Sequence, residues 1–215
     1  MATRLIIGLG TGRCGTVSLK ALLSLQPNTN ATHETMLLPH KFSEVKYKQY
    51  MARLWKRPEE ISADVALWTL SYVTAIIAEY PTTKFICLKR DKEPVVKSFI
   101  AKTARNRNHW TRYDSKHWNE EEWFREHTCP YRNCYPRFDA NKEEALGFYW
   151  DYYYTIAETY EKAFPDNFRI FPIEELNSQD GCARILDFAG YSEMNIQVGI
   201  HRNRVLTTLP KKNRK

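Results

Sequence analysis

The sequence predicts an α/β fold, a three-layer sandwich with a central parallel sheet and helices on both faces. Short apolar segments that suit buried strands alternate with amphipathic segments that suit helices, which is the order of elements around a parallel sheet. The first apolar segment leads directly into a glycine-rich turn. A length of 215 residues fits one such unit, so we expect a single domain over residues 1–215.

The strands are expected where short apolar runs lie between turn-forming residues. These runs cover residues 4–9, 31–34, 63–68 (a strand or an extended segment), 84–89 and 168–171. Helices are expected where apolar residues recur at helical spacing, over residues 15–25, 42–57, 71–79, 93–103, 143–164 and 180–188. In the longest helix we expect an aromatic stripe in the core, formed by Tyr149, Tyr153, Ile156 and Tyr160.

Residues 105–141 lack a regular period, apart from a short helix expected over residues 120–126, and they are rich in Trp, His, Arg and Tyr. A segment this long without regular structure is more often a functional lid than a simple connection. We therefore expect it to lie over a binding site. Residues 200–215 form a basic, irregular tail.

The chain carries 32 Lys and Arg residues against 25 Asp and Glu residues, a net charge of +7. This excess favours an anionic ligand, but the positive charges are too scattered to indicate nucleic acid. The five cysteines, an odd number, do not form a disulfide framework and favour a reducing cytoplasm. The close pair Cys129 and Cys134 fits no strong zinc spacing, so no metal is expected. Neither a signal peptide nor a membrane span is expected.

The glycine-rich turn after the first predicted strand is the first sign of a binding site. Glycines let backbone N–H groups approach an oxyanion, and the start of the next helix adds a partial positive charge. Other polar residues, His33, Glu34 and Arg90, also follow predicted strands. Because the carboxyl ends of parallel strands meet at one edge of a sheet, we expect these groups to share a site.

The ATPase-type phosphate-binding loop fits this turn only in part. Gly10 and Gly15 have its glycine spacing, but Thr16 replaces its lysine and Val17 replaces its magnesium-binding hydroxyl residue. A magnesium-dependent NTPase is therefore disfavoured.

The dinucleotide fingerprint G-x-G-x-x-G is matched by Gly10, Gly12 and Gly15. Glu34 lies about 20 residues further on, where a ribose-binding carboxylate belongs. Arg13 counts against this interpretation, because it places a long charged side chain inside the turn. An NAD(P)-binding oxidoreductase stays an alternative.

Residues 10–19 also resemble the 5′-phosphosulfate-binding loop of sulfotransferases, which follows the first strand and has the form (K/R)-(S/T)-G-(T/S)-(T/S). Arg13 stands at the basic position of that loop, Gly15 at its glycine and Thr16 at its first hydroxyl. Cys14 and Val17 depart from the usual hydroxyl residues, so one contact is lost or is supplied by Ser18. The resemblance implies that the donor PAPS (3′-phosphoadenosine 5′-phosphosulfate) is bound by Gly12, Arg13, Cys14, Gly15, Thr16, Val17 and Ser18.

A second segment, residues 85–99, resembles the part of sulfotransferases that binds the 3′-phosphate of PAPS. In that family a strand ends in Arg-Asp or Arg-Asn, and a serine follows two turns into the next helix. Arg90, Asp91 and Ser98 have this spacing. An arginine at a strand end can fork a phosphate with two hydrogen bonds. Both motifs in the expected order imply the P-loop NTPase-like sulfotransferase fold.

The resemblance also implies a reaction, the in-line transfer of a sulfuryl group from PAPS to an acceptor hydroxyl or amine without a metal. Arg13 would stabilise the charge that develops on the leaving oxygen. A general base must take the acceptor's proton. Glu34 is the first choice, because membrane-anchored family members have a glutamate after the second strand. His33 is the second choice, because cytosolic members use a histidine, although from another part of the chain.

Family members often close over the 3′-phosphate with basic residues near the C-terminus. His201, Arg202 and Arg204 are expected there, although the usual Arg-Lys-Gly signature is absent. Residues 105–141 are the expected acceptor-side lid, whose aromatic and arginine side chains suit a small-molecule or carbohydrate acceptor. A nucleotide-binding module without catalysis is the third interpretation.

Overall fold

The computed structural model describes residues 2–103, 135, 136, 138 and 140–199. Within these ranges the strands are β1 (Arg4–Leu9), β2 (Thr29–His33), β3 (Ile61–Val65), β4 (Lys84–Lys89) and β5 (Phe168–Pro172). They form one parallel sheet in the order β2-β3-β1-β4-β5. The predicted α/β fold with a central parallel sheet is confirmed.

Strand β1 lies at the centre of the sheet, paired with β3 on one side and with β4 on the other. A strand with neighbours on both sides and helices on both faces is continuously apolar, and its side chains are almost fully buried at Leu5, Ile6, Ile7 and Leu9. The chain leaves β1 towards β2 and leaves β4 towards β5, so the strand order reverses between β1 and β4. Ligands of open parallel sheets bind outside the carboxyl ends of the strands at such a reversal.

Helices cover both faces of the sheet. The α-helices in the described part of the chain are α1 (Thr16–Ser24), α2 (Glu44–Trp55), α3 (Val73–Glu79), α4 (Lys92–Thr103), α5 (Lys142–Ala163) and α6 (Gln179–Phe188). Two 3-10 helices, Leu67–Tyr72 and Ile173–Asn177, complete them. Successive side chains of β1 point to opposite faces, so Ile7 packs with α2, α3, α4 and α5, whereas Ile6 packs with α1 and α6. No helix in the described ranges is long and apolar enough to cross a membrane.

Helix α1 lacks the side-chain N-cap hydrogen bond that α2, α5 and α6 have. Ser43 caps α2, Asn141 caps α5 and Ser178 caps α6, each with a side-chain oxygen that accepts a backbone N–H three residues on. At the N-cap of α1 stands Gly15, which has a left-handed backbone with φ 90° and makes no side-chain cap hydrogen bond. The first turn of α1 therefore faces the glycine loop without a capping side chain.

The structure differs from the prediction most in the third strand. Strand β3 is Ile61–Val65, two residues earlier than the predicted segment 63–68. Asp64 interrupts the apolar pattern of this strand, yet it is fully buried. The chain turns into a 3-10 helix at Leu67, directly after the Ala66 N–H donates to the Gly8 oxygen of β1. The predicted helix 120–126, nearly all of the segment 105–141 and the tail 200–215 lie outside the described residues.

Candidate active site

The glycine loop, residues 10–15, joins β1 to α1 at the reversal of strand order. Its backbone takes positive φ angles at Gly10 (140°), Gly12 (82°), Arg13 (57°) and Gly15 (90°). A side chain at Gly10 would bring its Cβ within 2.3 Å of the Cys14 sulfur and 2.8 Å of a backbone oxygen. The loop therefore depends on glycine, and Arg13 holds a left-handed conformation that glycine adopts more easily.

Tyrosine hydroxyls of α5 form hydrogen bonds with the backbone of the glycine loop. The hydroxyl of Tyr153 accepts the Gly10 N–H at 2.9 Å and donates to the Leu67 oxygen at 2.9 Å. The hydroxyl of Tyr149 donates to the Thr11 oxygen at 3.2 Å. The sequence predicted these tyrosines as core, and they are buried, but it missed their hydrogen bonds to the loop. The presence of tyrosine instead of phenylalanine at buried positions could have indicated these hydrogen bonds, since a buried hydroxyl needs a partner.

Arg13, Arg90 and Ser98, predicted on separate motifs, meet beside the loop. The Arg13 Nε donates to the Ser98 hydroxyl at 3.0 Å, and Arg90 Nη1 donates to the backbone oxygen of Arg13 at 3.1 Å. The indole N–H of Trp150 on α5 fixes the backbone after β4 by donating to the Arg90 oxygen at 2.9 Å. Helix α4 and the end of β4 therefore converge on the loop.

The two guanidinium groups give this part of the site its charge. Burial, and then the positive charge of Arg90, lower the pKa of Arg13. Like charges that are packed together and partly desolvated are stabilised by an anion between them. Together with the glycine amides and the start of α1, they suit a strongly anionic group such as a phosphate.

His33 and Glu34 lie at the carboxyl end of β2, beside the first turn of α1. The Nε2 of His33 is 3.1 Å from the Thr16 hydroxyl, and its Nδ1 is 4.0 Å from a Glu34 carboxylate oxygen. The structure thus joins both predicted bases to the helix that begins at the glycine loop. Glu34 itself has a left-handed backbone with φ 57°, and its N–H donates to the Val65 oxygen at 3.1 Å.

The surroundings shift the protonation of both groups. Burial, and then the negative charge of Asp64, raise the pKa of Glu34 to about 7. Burial lowers the pKa of His33, against the opposing effect of Asp64. Near neutral pH, Glu34 is consequently divided between its ionised and protonated forms, while His33 is neutral.

The other predicted loop residues occupy different environments. The Cys14 side chain is fully buried in the core, and burial raises the pKa of its thiol to about 11. Only the backbone of Cys14 therefore contributes to the loop. Thr16 is buried beside His33, whereas Val17 and Ser18 are partly exposed on the first turn of α1. Arg202 and Arg204 lie outside the described residues.

Within the described ranges, no group of three or more His, Cys, Asp or Glu side chains could hold a metal ion. Asp64, which lies behind Glu34 and affects its charge, was not among the predicted site residues. The signal was an acidic residue between Ala63 and Val65 in the predicted segment 63–68, which is otherwise apolar, because a buried carboxylate needs partners.

Fold and site together define an α/β protein with an anion-binding glycine loop where the strand order of a parallel sheet reverses. A family model described as "Sulfotransferase domain" matches residues 5–190. The chain belongs to this sulfotransferase family.

A solved structure with the same fold is that of mouse sulfotransferase SULT7A1 complexed with PAP. The TM-score is 0.52, and the sequence identity is 12%. The match covers 90% of this chain and 60% of that chain, so the present chain spans less than two thirds of its neighbour's length. At this identity the match shows a shared fold. A sequence comparison with curated proteins gave no match.

Proposed function

We propose that this protein is a PAPS-dependent sulfotransferase that transfers a sulfuryl group to a hydroxyl or amine of a small-molecule or carbohydrate acceptor. The observation that carries this proposal is the meeting of Arg13, Arg90 and Ser98 at the glycine loop. Membership of the sulfotransferase family and the shared fold with a PAP complex support it. PAPS supplies the activated sulfuryl group, and no metal is assigned a role.

The loop suits the phosphate groups of such a donor. A Cβ at Gly12 would come within 3.2 Å of Leu67 and Phe99, and φ there is 82°, so a side chain would be strained and would crowd these two residues. We assign the 5′-phosphosulfate to residues 12–18 and the 3′-phosphate to Arg90 and Ser98. We also assign the basic residues Arg202 and Arg204 to binding of the 3′-phosphate.

Arg13 is assigned to the charge that develops during transfer. Its guanidinium lies between the glycine loop and Ser98, and it is half-buried, so its interaction with an anion is less screened than at the surface. A cation held in place before the reaction costs no reorganisation when negative charge appears on the leaving oxygen.

Glu34 is assigned as the general base. A carboxylate with a pKa of about 7 accepts a proton more strongly than an ordinary glutamate and is still substantially ionised at neutral pH. His33 is the second choice, since it is neutral near pH 7 and its Nε2 is already engaged with Thr16.

The decisive experiment combines nucleotide binding with sulfuryl transfer. Calorimetry with PAP and with NAD should give binding of PAP alone, and labelled PAPS should transfer sulfate to members of a panel of alcohols, phenols, amines and sugars. Binding of NAD without PAP would support the dinucleotide alternative, which the family membership disfavours. Binding of PAP without transfer to any acceptor would indicate a nucleotide-binding module without catalysis.

A reducing compartment, the cytoplasm, is part of the same proposal. The cysteines Cys14, Cys87 and Cys182 are buried and free, which agrees with an absence of stabilising disulfides among the described residues.

A further inference from the structure

Asp64, the residue before the last in the buried strand β3, is the centre of a hydrogen-bond network behind the turn that carries Glu34. Its Oδ1 accepts the Thr35 N–H at 3.2 Å and the hydroxyls of Thr32 and Thr35 at 2.8 and 2.9 Å. Its Oδ2 accepts the Tyr50 hydroxyl at 3.0 Å. All of these partners are donors, which is the environment of an ionised carboxylate.

Arg57, which follows α2, completes the network from the other side. Its Nη2 donates to the hydroxyls of Thr32 and Thr35 at 2.8 and 3.0 Å, and its Nη1 donates to the backbone oxygens of Asn30 and Ala63. Each threonine hydroxyl therefore accepts from Arg57 and can give its single proton to Asp64. The guanidinium and the carboxylate are linked through two hydroxyls.

This network fixes the turn at residues 33–35. Glu34 holds a left-handed backbone, a conformation that costs free energy in a residue with a side chain, and Thr35 immediately after it is tied to Asp64 by both its N–H and its hydroxyl. The Glu34 N–H is tied to β3 at Val65. A strained residue whose backbone is held on both sides has a fixed Cα–Cβ direction, so its side chain starts from one position in the site.

We propose that Asp64 is a positioning residue for the transfer reaction. Through Thr32, Thr35 and Arg57 it holds the turn that presents Glu34 to the acceptor, and its charge keeps Glu34 a strong proton acceptor. This assignment rests on the proposed function, because it takes Glu34 as the general base. Asp64 is fully buried and does not itself reach a substrate.

The electrostatic part of this role has a definite sign. The negative charge of Asp64 adds to burial in raising the pKa of Glu34. The described charged and titratable groups around the turn are His33 on β2, Asp64 on β3, Tyr50 and Arg53 on α2, Arg57 after α2 and Lys20 on α1. Removal of the Asp64 charge should therefore make Glu34 a weaker base that ionises at lower pH.

The test compares Asp64→Asn with Tyr50→Phe, which removes a hydrogen bond from the same carboxylate without changing its charge. We expect Asp64→Asn to lower kcat about tenfold, to leave PAP affinity unchanged, and to move the acidic limb of the kcat profile to lower pH. In Tyr50→Phe we expect the limb to stay at its wild-type pH while thermal stability falls.

A second readout does not depend on catalysis. Carbon-detected NMR can follow the Glu34 carboxyl as a function of pH in the ligand-free protein, and Asp64→Asn should lower its midpoint. An unmoved midpoint would overturn the electrostatic role even in an active enzyme. A moved midpoint in a protein that transfers no sulfate would support the interaction between the two carboxyls and reject the proposed function.

A substitution that keeps the Asp64 charge covers the case in which Asp64→Asn does not fold. Thr35→Val removes the hydroxyl between Asp64 and Arg57 and keeps the side-chain shape. We expect kcat to fall severalfold with unchanged PAP affinity. Wild-type kcat in Thr35→Val would overturn the positioning role.

Discussion

Arg13 and Arg90 approach each other at the glycine loop, but the structure connects them to it in different ways. Arg90 donates to the backbone oxygen of Arg13, whereas the Arg13 side chain crosses to Ser98. Arg90 is therefore placed to hold both the loop and a bound phosphate, and Arg13 to act on charge inside the site. The same substitution at the two positions should separate binding from turnover.

We expect Arg13→Ala to lower kcat by about 10²-fold or more with a small change in PAP affinity, because a positioned cation acts mainly on transition-state charge. Arg90→Ala should weaken PAP binding by about 2 kcal/mol, the loss of a charge-assisted pair. Single-turnover kinetics and calorimetry measure the two effects. Arg184→Ala, which removes a positive charge paired with Glu175 at the surface, is the control. Unchanged PAP affinity in Arg90→Ala would contradict the assignment.

Glu34 lowers the stability of the protein at high pH. Its pKa of about 7 in the folded state lies above the value of about 4.3 expected when unfolded. The folded state thus binds the proton more tightly, so stability is highest below the unfolded value and falls as the pH rises through the folded value. Because the side chain is 27% exposed, we reduce the full effect to about 2 kcal/mol.

We therefore expect Glu34→Gln to be more stable than the wild type by about 2 kcal/mol at pH 8 and equal to it at pH 4, while kcat falls about 10²-fold or more. Urea unfolding at the two pH values gives the comparison. A stability difference that is the same at both pH values would show that folding does not raise the pKa of Glu34.

At the scale of the elements, helix α5 both covers the sheet and supports the site. Its aromatic residues were predicted as core from their spacing, and that prediction is confirmed for Tyr149 and Tyr153. Their hydroxyl partners could not be predicted, because they lie on the loop after β1, far away in sequence. Periodicity predicts which face of a helix is buried, but not which backbone groups lie opposite it.

Tyr153→Phe should disturb the glycine loop more than Tyr191→Phe. The first change leaves the Gly10 N–H and the Leu67 oxygen without their hydroxyl partner, whereas the second removes a bond to the Thr29 hydroxyl at the start of β2, at the opposite edge of the sheet. We expect a loss of about 2 kcal/mol in unfolding free energy and about tenfold in PAP affinity for Tyr153→Phe. The control should lose stability but bind PAP as the wild type does. Equal PAP affinity in both variants would contradict the support of the glycine loop by α5.

The end of β3 shows where sequence patterns fail locally. The apolar run that begins at Ala63 continues past the strand into a 3-10 helix, so the strand was predicted two residues too late. The residue that distinguishes the strand is Asp64, whose burial depends on donors from β2, the following turn and α2. Those donors come from distant segments, so the pattern of the strand alone could not predict its burial.

At the scale of the whole molecule, the order of strands and helices was sufficient to predict the parallel sheet. The glycine turn, His33 with Glu34, and Arg90 were predicted to lie at one edge of the sheet. In the structure Arg90 lies beside Arg13, and His33 lies beside Thr16. This worked because parallel strands align their carboxyl ends whatever lies between them. The base, the acceptor and the single domain over residues 1–215 stay predictions.

A single domain should unfold in one step. We expect one thermal transition for the whole chain, raised by about 5–10 °C when PAP is present at 100 times its dissociation constant. Scanning calorimetry with and without PAP gives both quantities, and two transitions of which PAP shifts only one would contradict a single unit. In Arg90→Ala the shift should be smaller at the same PAP concentration.

The central position of β1 has a consequence for how the protein forms. This strand is made first, yet its partners β3 and β4 end only at Val65 and Lys89. As the chain grows during synthesis, the glycine loop lacks the β4 side of its sheet until Lys89 has been made, and α5 follows later still. A nucleotide can therefore bind only after β4 and α5 have been made, so it does not act as a template on which β1 and α1 fold.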